Sequence, residues 1–594
     1  MSEHEEPLGR GYDAGLLRRL VGYLRPYRGL TAVAVLLLLA GAGLALVGPL
    51  LTQRALDTAV PGRDSGLLAT LALLLIGSLV LEFLADYTQA LLTTHIGQRV
   101  MYDLRLRLFA HLQRLGIPFY DRNPVGRLMT RVTSDVETLN ELFSSGLVTV
   151  FGDLFTVVAI MGMMLALDWR LALVAFAVVP LVWLTATVFR SHVRAVFRDI
   201  RVRLARINSF LQEHLSGMRV VQLFGRERAS MERFDELNRA HLDAHLRSIT
   251  IYAVFFPVVE LLSAIALALV LWYGGLRSLG GTLTVGTLAA FIQLSRRFFQ
   301  PLQDLSEKVN LLQSAMASSE RIFQLLDEPA GEAGGTGRRT LAPGPRGEVR
   351  FEGVWFRYAP DGAWVLRDVS FTAPPGRTVA LVGHTGAGKT TVISLLLRFY
   401  QPERGRITID GIDINDLPTD TLRGLIGFVQ QDLFLFSGDI LRNLVLDAPI
   451  SPERGKAAAV EVGADRFIER LPDGYRHVLG ERGRSLSVGE RQLLSFARAL
   501  ALDPRILVLD EATSSVDAAA EARIQQAIAR LMAGRTSLVV AHRLSTILHA
   551  DEILVFHHGE IRERGRHREL LAQRGLYDRL YQLQLSGTAD RRTA

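Results

Sequence analysis

The sequence predicts an all-α membrane domain with six spans, followed by a soluble α/β domain. Six apolar runs, each near the roughly 20 residues that cross a bilayer, lie in the first half of the 594-residue chain. A stretch rich in Gly, Pro and Ala follows at 328–347, and beyond it β-branched runs alternate with helical patterns. Hydrophobic residues make up 49% of the chain, which is high for a wholly soluble protein. We therefore expect two domains of different class.

The six spans are expected at 30–52, 65–92, 142–167, 171–189, 249–276 and 278–295. A buried helix of a soluble core explains one such run but hardly six. Arginines gather before the first span, between the second and third, and between the fourth and fifth. The positive-inside rule then places both termini and the two long connections in the cytoplasm. We expect the α/β domain to be cytoplasmic as well, and the spans to lie in the plasma (inner) membrane.

The net charge of +7 raises the alternative of nucleic-acid binding. Because the arginines lie beside the spans, we assign the charge to topology and to anionic lipid headgroups, and expect no nucleic-acid partner. The chain contains no cysteine, which excludes disulfides, thiolate metal sites and a cysteine nucleophile.

The chain divides into five predicted segments. They are a cytoplasmic N-terminal segment with an interfacial elbow helix (1–28), the transmembrane domain (29–327), a linker (328–347), the α/β domain (348–586) and a tail (587–594). The spans should continue as helices into the cytoplasm, because apolar residues keep a helical period at 99–112. Helix-breaking residues at about 120–128 and 217–225 predict short helical tips, suited to docking on a partner domain or serving as simple turns.

The octet at 383–390 fits the phosphate-loop pattern G-x-x-x-x-G-K-[ST]. In this pattern, glycines turn backbone N–H groups toward phosphate oxygens, Lys389 reaches the β- and γ-phosphates, and Thr390 can hold Mg²⁺. An apolar run at 378–382 precedes it and a helical pattern follows it, so the setting is strand, loop and helix. A chance glycine-rich turn rarely has that setting. The predicted nucleotide-binding residues of the loop are Gly383, His384, Thr385, Gly386, Ala387, Gly388, Lys389, Thr390 and Thr391.

A second motif, which is acidic, follows the phosphate loop by about 120 residues. Here the apolar run 506–509 ends in Asp510 and Glu511. A buried strand here would deliver Asp510 to the metal, and Glu511 would orient and polarise the attacking water. The alternative is a strand that simply ends at a charged loop.

With these motifs the chain resembles an ABC exporter half-transporter over about residues 15–585. The α/β part then resembles a P-loop NTPase of the ABC type, and the membrane part the type IV ABC transmembrane fold. Further matches follow the family's order: Tyr358 for the adenine-stacking aromatic, Gln431 for the Q-loop, 480–483 for a docking motif, Ser487, Val488, Gly489 and Glu490 for the signature, Asp517 for the D-loop and His542 for the switch histidine.

The resemblance implies a head-to-tail dimer with ATP and Mg²⁺ as cofactors. Each ATP would lie between one chain's phosphate loop and the other chain's signature. Glu511, His542 and Gln431 would serve hydrolysis, and Thr390, Gln431 and Asp510 would serve the metal. The tips at 120–128 and 217–225 would be coupling helices that transmit the nucleotide state to the spans.

The signature departs from the family's Leu-Ser-Gly-Gly-Gln at Val488 and Glu490. Val488 would restrict the backbone, and Glu490 would set a carboxylate near a triphosphate. We therefore favour a heterodimer, in which Glu511 serves an active site and the altered signature faces a degenerate one, over a homodimer.

The cargo is predicted to be an amphipathic or hydrophobic compound, either a drug or a lipid. Glu82, Asp86, Asp153 and Glu260 interrupt three spans and would favour cationic lipophilic cargo if buried, but they fit aqueous vestibules or helix extensions equally well. A lipid flippase homodimer and an ATP-gated channel are the alternative functions.

Overall fold

The computed structural model describes residues 14–330, 339, 341–510, 518–540 and 547–590. The chain forms two compact units: Met1–Leu112 with Val125–Glu328, and Gln113–Pro124 with Pro329–Ala594. Within the described residues the first unit is helical, and all strands lie in the second. The predicted order, an all-α membrane domain followed by an α/β domain, is confirmed.

The first twelve helices include two that are far longer than a bilayer is thick. In chain order they are α1 (Ala14–Gly22), α2 (Arg28–Arg54), α3 (Ser65–Leu112), α4 (Ile117–Arg122), α5 (Val125–Thr130), α6 (Val136–Glu141), α7 (Leu147–Leu167), α8 (Trp169–Phe176), α9 (Val179–Ser216), α10 (Met218–Leu223), α11 (Glu227–Leu279) and α12 (Val285–Asp327). With 48 residues in α3 and 53 in α11, these helices reach about 70–80 Å, against a hydrocarbon core of about 30 Å. They therefore continue well beyond the membrane, as the helical period predicts.

Four helical segments among the described residues are long and apolar enough to cross a membrane: Arg25–Ala59, Ser65–Leu112, Trp169–Ser216 and Glu227–Leu279. They cover the first, second, fourth and fifth predicted spans. The third corresponds to a shorter apolar segment, Phe151–Leu167, and the sixth to α12.

The sixth span begins later than predicted. The sequence places it at 278–295, whereas α11 continues to Leu279 and α12 begins at Val285. The chain turns between them because Gly281 adopts a left-handed conformation, with φ +72°, and the Thr284 side chain caps α12 by accepting from the Thr287 N–H. The tip expected at 120–128 also differs: it is two short helices, α4 and α5, separated at Pro124, because proline disfavours a helical conformation in the residue before it.

The second unit is built on a six-stranded sheet and a four-stranded sheet. Its strands are β1 (Val349–Phe356), β2 (Leu366–Ala373), β3 (Thr378–Val382), β4 (Arg404–Ile409), β5 (Ile412–Asp413), β6 (Ile426–Val429), β7 (Gly438–Asp439), β8 (Val478–Leu479), β9 (Ile506–Asp510), β10 (Thr536–Val540), β11 (Glu552–His557) and β12 (Glu560–Gly565). Its helices after residue 340 are α13 (Lys389–Leu396), α14 (Thr419–Gly424), α15 (Ile440–Val445), α16 (Pro452–Val462), α17 (Asp465–Ile468), α18 (Val488–Ala501), α19 (Ala518–Met532), α20 (His567–Ala572) and α21 (Leu576–Asp590).

The six-stranded sheet has the order β12-β11-β3-β10-β9-β6, and its neighbours from β11 to β6 run parallel. Every residue of β9 is buried, with alternate side chains in two different apolar clusters: Ile506 and Val508 in one, Leu507 and Leu509 in the other. Burial on both faces explains why this strand is a continuous apolar run in the sequence. The sheet is thus a rigid base for the loops at its carboxyl edge.

Candidate ATP-binding site

The phosphate loop joins β3 to α13, and close backbone packing requires its glycines. A Cβ on Gly383 would lie 2.4 Å from the carbonyl oxygen of Phe556, and one on Gly388 would lie 3.0 Å from that of Val365. Gly388 is also left-handed, with φ +101°, and forms the N-cap of α13. The loop therefore leads directly into a helix N-terminus, whose free N–H groups favour an anion.

Lys389 is folded back onto this loop. Its Nζ donates to the carbonyl oxygens of Gly383 (2.7 Å) and His384 (3.0 Å), and the residue is 5% exposed. Burial lowers the pKa of Lys389, and the nearby Asp510 carboxylate opposes that shift. An ammonium held in this way is available to a phosphate that enters the loop.

The parallel strands bring the other predicted groups to the same edge of the sheet. In the registers, Val540 pairs with both Leu381 and Asp510, and Leu509 pairs with Val429. The carboxyl ends of β3, β10, β9 and β6 are therefore adjacent, and this edge is where open α/β sheets bind ligands.

Asp510 ends β9 and is 7% exposed, whereas Gln431 follows β6 by two residues and is exposed. Thr390 is exposed in the first turn of α13. Glu511, Asp517 and His542 lie outside the described residues, and so their roles remain predictions from the sequence.

Tyr358 is fixed beside the loop by its hydroxyl. Its oxygen lies 3.0 Å from the Oγ1 of Thr391, which is buried, while the residue remains 52% exposed. The ring makes an edge contact with Tyr400 at a centroid separation of 5.0 Å. The arrangement holds one edge of the ring and leaves much of its surface open, as a platform for a nucleobase requires.

A contact that the sequence does not reveal joins this aromatic pair to the short helix α4. The Tyr400 hydroxyl donates to Asp121, and residues 113–124 belong to the same compact unit as Tyr400. Burial, followed by the Asp121 carboxylate, raises the pKa of Tyr400, so the hydroxyl remains a proton donor. The nucleotide side of the unit is thus linked to α4 through Tyr358, Tyr400 and Asp121.

We expect Tyr400→Phe to loosen α4 selectively. A hydrogen bond to a charged group contributes about 1.5–3 kcal/mol, so amide hydrogen exchange in Ile117–Arg122 should accelerate by roughly tenfold or more if it proceeds through local opening. Tyr475→Phe removes a hydroxyl elsewhere in the unit and is the matched control. Unchanged exchange at α4 in the Tyr400 variant would show that the bond does not hold this helix.

The signature residues begin helix α18. Ser487 is the N-cap, and a capping box is complete: the Ser487 N–H donates to Glu490 Oε2 at 2.9 Å, and the Glu490 N–H donates to Ser487 Oγ at 3.3 Å. The Ser487 hydroxyl also donates to Glu490 Oε2, at 2.8 Å. Glu490 therefore stabilises the helix start and engages the hydroxyl expected to face a phosphate. The S-x-x-E spacing is a capping-box pattern, so this role was readable from the sequence.

Val488 adopts an ordinary helical conformation. Val488 is the first residue of a regular right-handed helix, and it is 40% exposed. A β-branched residue is accommodated there. The structure thus shows the bulk of Val488 and the charge of Glu490 at this signature, and the restriction of the backbone by Val488 stays a prediction.

A groove lies beside the docking motif at 480–483. The cavity has a volume of about 640 Å³ and is lined by Phe434, Phe436, Arg442, Glu481 and Arg482, among others. Phe434 and Phe436 are 47% and 53% exposed. A lining that combines exposed phenylalanines with charged side chains suits an amphipathic helix.

Comparison with known proteins identifies the family. The sequence profile of the ABC transporter transmembrane region matches residues 31–302, and that of the ABC transporter matches residues 366–514. An ATP-dependent lipid A-core flippase of Syntrophus aciditrophicus (strain SB) is 37% identical over 570 residues, which cover 96% of this chain and 94% of the flippase. The chain belongs to the ABC transporter family.

Two other relatives of this ABC transporter carry different functional names. A probable multidrug resistance ABC transporter ATP-binding/permease protein of Bacillus subtilis (strain 168) is 38% identical over 512 residues, covering 86% of this chain and 76% of the relative. A fatty acid ABC transporter ATP-binding/permease protein of Mycobacterium bovis (strain ATCC BAA-935 / AF2122/97) is 40% identical over 492 residues, covering 83% and 77%. This ABC transporter is therefore a multi-pass membrane protein that binds ATP and couples its hydrolysis to transport.

Proposed function

We propose that this ABC transporter exports amphipathic or hydrophobic compounds across the plasma membrane as one half of a dimer. The observation that carries the proposal is the single sheet edge that holds the phosphate loop after β3, Asp510 at the end of β9 and Gln431 after β6, in a chain whose other unit contains long apolar helices. Arginine placement supports a cytoplasmic position for both termini and the nucleotide-binding domain.

Each predicted residue of the ATP site has its own role in hydrolysis. Lys389 and the loop N–H groups bind and orient the phosphates, Glu511 holds the attacking water, and His542 steadies the γ-phosphate. We assign the coupling helices to α4 and α10, and Gln431 transmits the presence of the γ-phosphate to them. Asp517 belongs to the contact between the two chains of the dimer.

The oxygens of Thr390, Asp510 and Gln431 suit Mg²⁺, because this ion prefers hard oxygen ligands. Thr390 is exposed at the start of α13 and Asp510 ends its strand at the same edge. An Mg²⁺ ion held by these residues would supply positive charge that offsets the charge of the phosphates.

In the proposed cycle ATP joins two nucleotide-binding domains, and its hydrolysis releases them. The membrane helices alternate between inward-facing and outward-facing states as a result. The exposed apolar face of α10, with Val220 at 59%, Leu223 at 80% and Phe224 at 70% exposure, is suited to dock on a nucleotide-binding domain of the partner.

A heterodimer is favoured because Glu490 places a negative charge at the signature. This carboxylate accepts a hydrogen bond from the Ser487 hydroxyl. It would also repel a γ-phosphate bound by the partner chain. An intact Glu511 would serve the other site of such a pair. The homodimer remains the alternative.

The signature gives a direct test of this assignment. The chain purified alone should have weak ATPase activity, and Glu490→Gln should raise it several-fold, since the amide keeps the cap without the charge. Glu469→Gln, an exposed carboxylate at the end of α17, is the matched control. Full drug-stimulated ATPase by a dimer of the unsubstituted chain would contradict the heterodimer.

The cargo we propose is an amphipathic drug or lipid, as the names of the three relatives support. The structure weakens the case for a cationic cargo at one position: Arg297 pairs with Glu82 at 3.3 Å and also donates to the carbonyl oxygen of Ala45 at 2.8 Å. Glu82 is therefore a neutralised anion. Asp86 and Glu260 are exposed in the protein alone.

A further inference from the structure

Three histidines lie together at the phosphate loop. One ring nitrogen of His384, His557 and His558 lies within 4.8 Å of those of the other two. The ring centroids are 5.3 Å apart for His384 and His557, and 4.3 Å apart for His557 and His558. His384 belongs to the phosphate loop, but the loop pattern accepts any side chain at this position, and ATP hydrolysis and the dimer assign no role to His557 or His558.

Main-chain packing, not chance side-chain placement, brings the three rings together. Gly383 approaches the carbonyl of Phe556 so closely that a Cβ would lie 2.4 Å from the oxygen, which sets His384 over the end of β11. His558 and Gly559 both have positive φ, +49° and +82°, and form the tight turn between β11 and β12.

The turn itself is held against β2. The Arg367 N–H donates to the carbonyl of Gly559 at 2.8 Å, and a Cβ on Gly559 would lie 2.4 Å from the carbonyl oxygen of Val365. The histidines therefore project from two tightly packed backbone segments.

A hydrogen bond to the backbone fixes the tautomer of the His384 ring. Its Nδ1 lies 2.8 Å from the carbonyl oxygen of Thr385. Because a carbonyl oxygen only accepts, Nδ1 carries the proton and Nε2 has the free lone pair. Metal-binding histidines are usually fixed by such a bond from the other ring nitrogen.

We propose that His384, His557 and His558 bind a divalent transition cation of the Zn²⁺, Ni²⁺ or Cu²⁺ class. Three imidazoles without a carboxylate select these ions over Mg²⁺ and Ca²⁺. Tetrahedral zinc places its nitrogen ligands about 3.4 Å apart, given a Zn–N distance of about 2.0–2.1 Å. His384 and His558 are exposed, so small side-chain rotations close the remaining gap and leave a fourth position for water.

The charge around the cluster permits such a cation. Of two cations near it, the Arg562 guanidinium pairs with Glu560 at 2.7 Å, and the Lys389 ammonium donates to the carbonyl oxygens of Gly383 and His384. Because the chain contains no cysteine, no thiolate competes for the metal. A bound cation would connect the second residue of the phosphate loop to the β11–β12 turn.

The test is Zn²⁺ titration of the full chain in detergent, purified without a histidine tag and treated with a chelator. Calorimetry should show that the unsubstituted chain binds one Zn²⁺ per chain. In His558→Asn this binding should be absent, or its affinity should fall by at least roughly 10- to 100-fold, which is what loss of a hydrogen-bond partner behind a metal ligand costs. Asparagine tolerates the left-handed backbone at this turn, and unchanged circular dichroism verifies folding. Binding needs neither ATP nor transport, so its failure is separate from failure of the proposed function.

The chain has 14 histidines, and His241 and His245 form another close pair, with centroids 4.6 Å apart. His245→Gln is therefore the matched control and should keep the equivalent. Co²⁺ substitution should give the visible spectrum of a tetrahedral nitrogen site in the unsubstituted chain and in this control. Equal Zn²⁺ binding by the unsubstituted chain and His558→Asn, or loss of the equivalent in His245→Gln, would overturn the proposal.

Discussion

Lys389→Ala is expected to lower ATP affinity by roughly 100-fold or more and to leave little ATPase activity. The ammonium is buried, and in the unliganded loop it is held by two carbonyl oxygens. Two charge-assisted hydrogen bonds to phosphate contribute about 1.5–3 kcal/mol each, and each 1.4 kcal/mol is tenfold in affinity. Equilibrium binding of a fluorescent ATP analogue measures the first effect, and phosphate release the second.

Lys456→Ala is the matched control for this substitution. Lys456 is exposed on α16 in the same unit, with its ammonium 5.9 Å from the centroid of the Tyr475 ring. The Lys456→Ala variant should bind ATP with the affinity of the unsubstituted chain. Near-normal affinity in Lys389→Ala, with the fold intact, would exclude the loop as the phosphate site.

Glu511→Gln is expected to separate ATP binding from hydrolysis. Glu511 follows Asp510, the last residue of a fully buried strand. If it is the base that positions water, its loss should lower the ATPase rate by about 10²–10⁴-fold while ATP affinity stays within a few-fold. The rate is measured by phosphate release, and the affinity by equilibrium binding.

Glu453→Gln, on the exposed first turn of α16, controls for a change of carboxylate to amide in this unit. It should hydrolyse ATP at the normal rate. If Glu511→Gln hydrolysed ATP at a comparable rate, another group would have to be the base.

The class of the fold was predictable because each part carries its own periodicity. Apolar runs longer than a soluble helix needs indicate spans, and the strand, glycine loop and helix at 378–396 specify the nucleotide site. The buried strand β9 likewise appears in the sequence as four apolar residues followed by an aspartate, at 506–510. These features are local in the chain, so a single sequence displays them.

The contacts that escaped prediction are the non-local ones. Asp121 and Tyr400 are 279 residues apart, and no spacing rule relates them. His384 meets His557 and His558 only because β3 and β11 are neighbours in the sheet.

The central claim is that ATP hydrolysis drives uphill export, and one measurement tests it most directly. The chain is purified from its native membrane with any bound partner, reconstituted in vesicles, and supplied with ATP and a fluorescent amphipathic lipid or drug. We predict vanadate-sensitive accumulation against the gradient, abolished when the chain carries Glu511→Gln. ATP-dependent flux that only dissipates a gradient, and that persists in Glu511→Gln, would contradict the claim and indicate a channel.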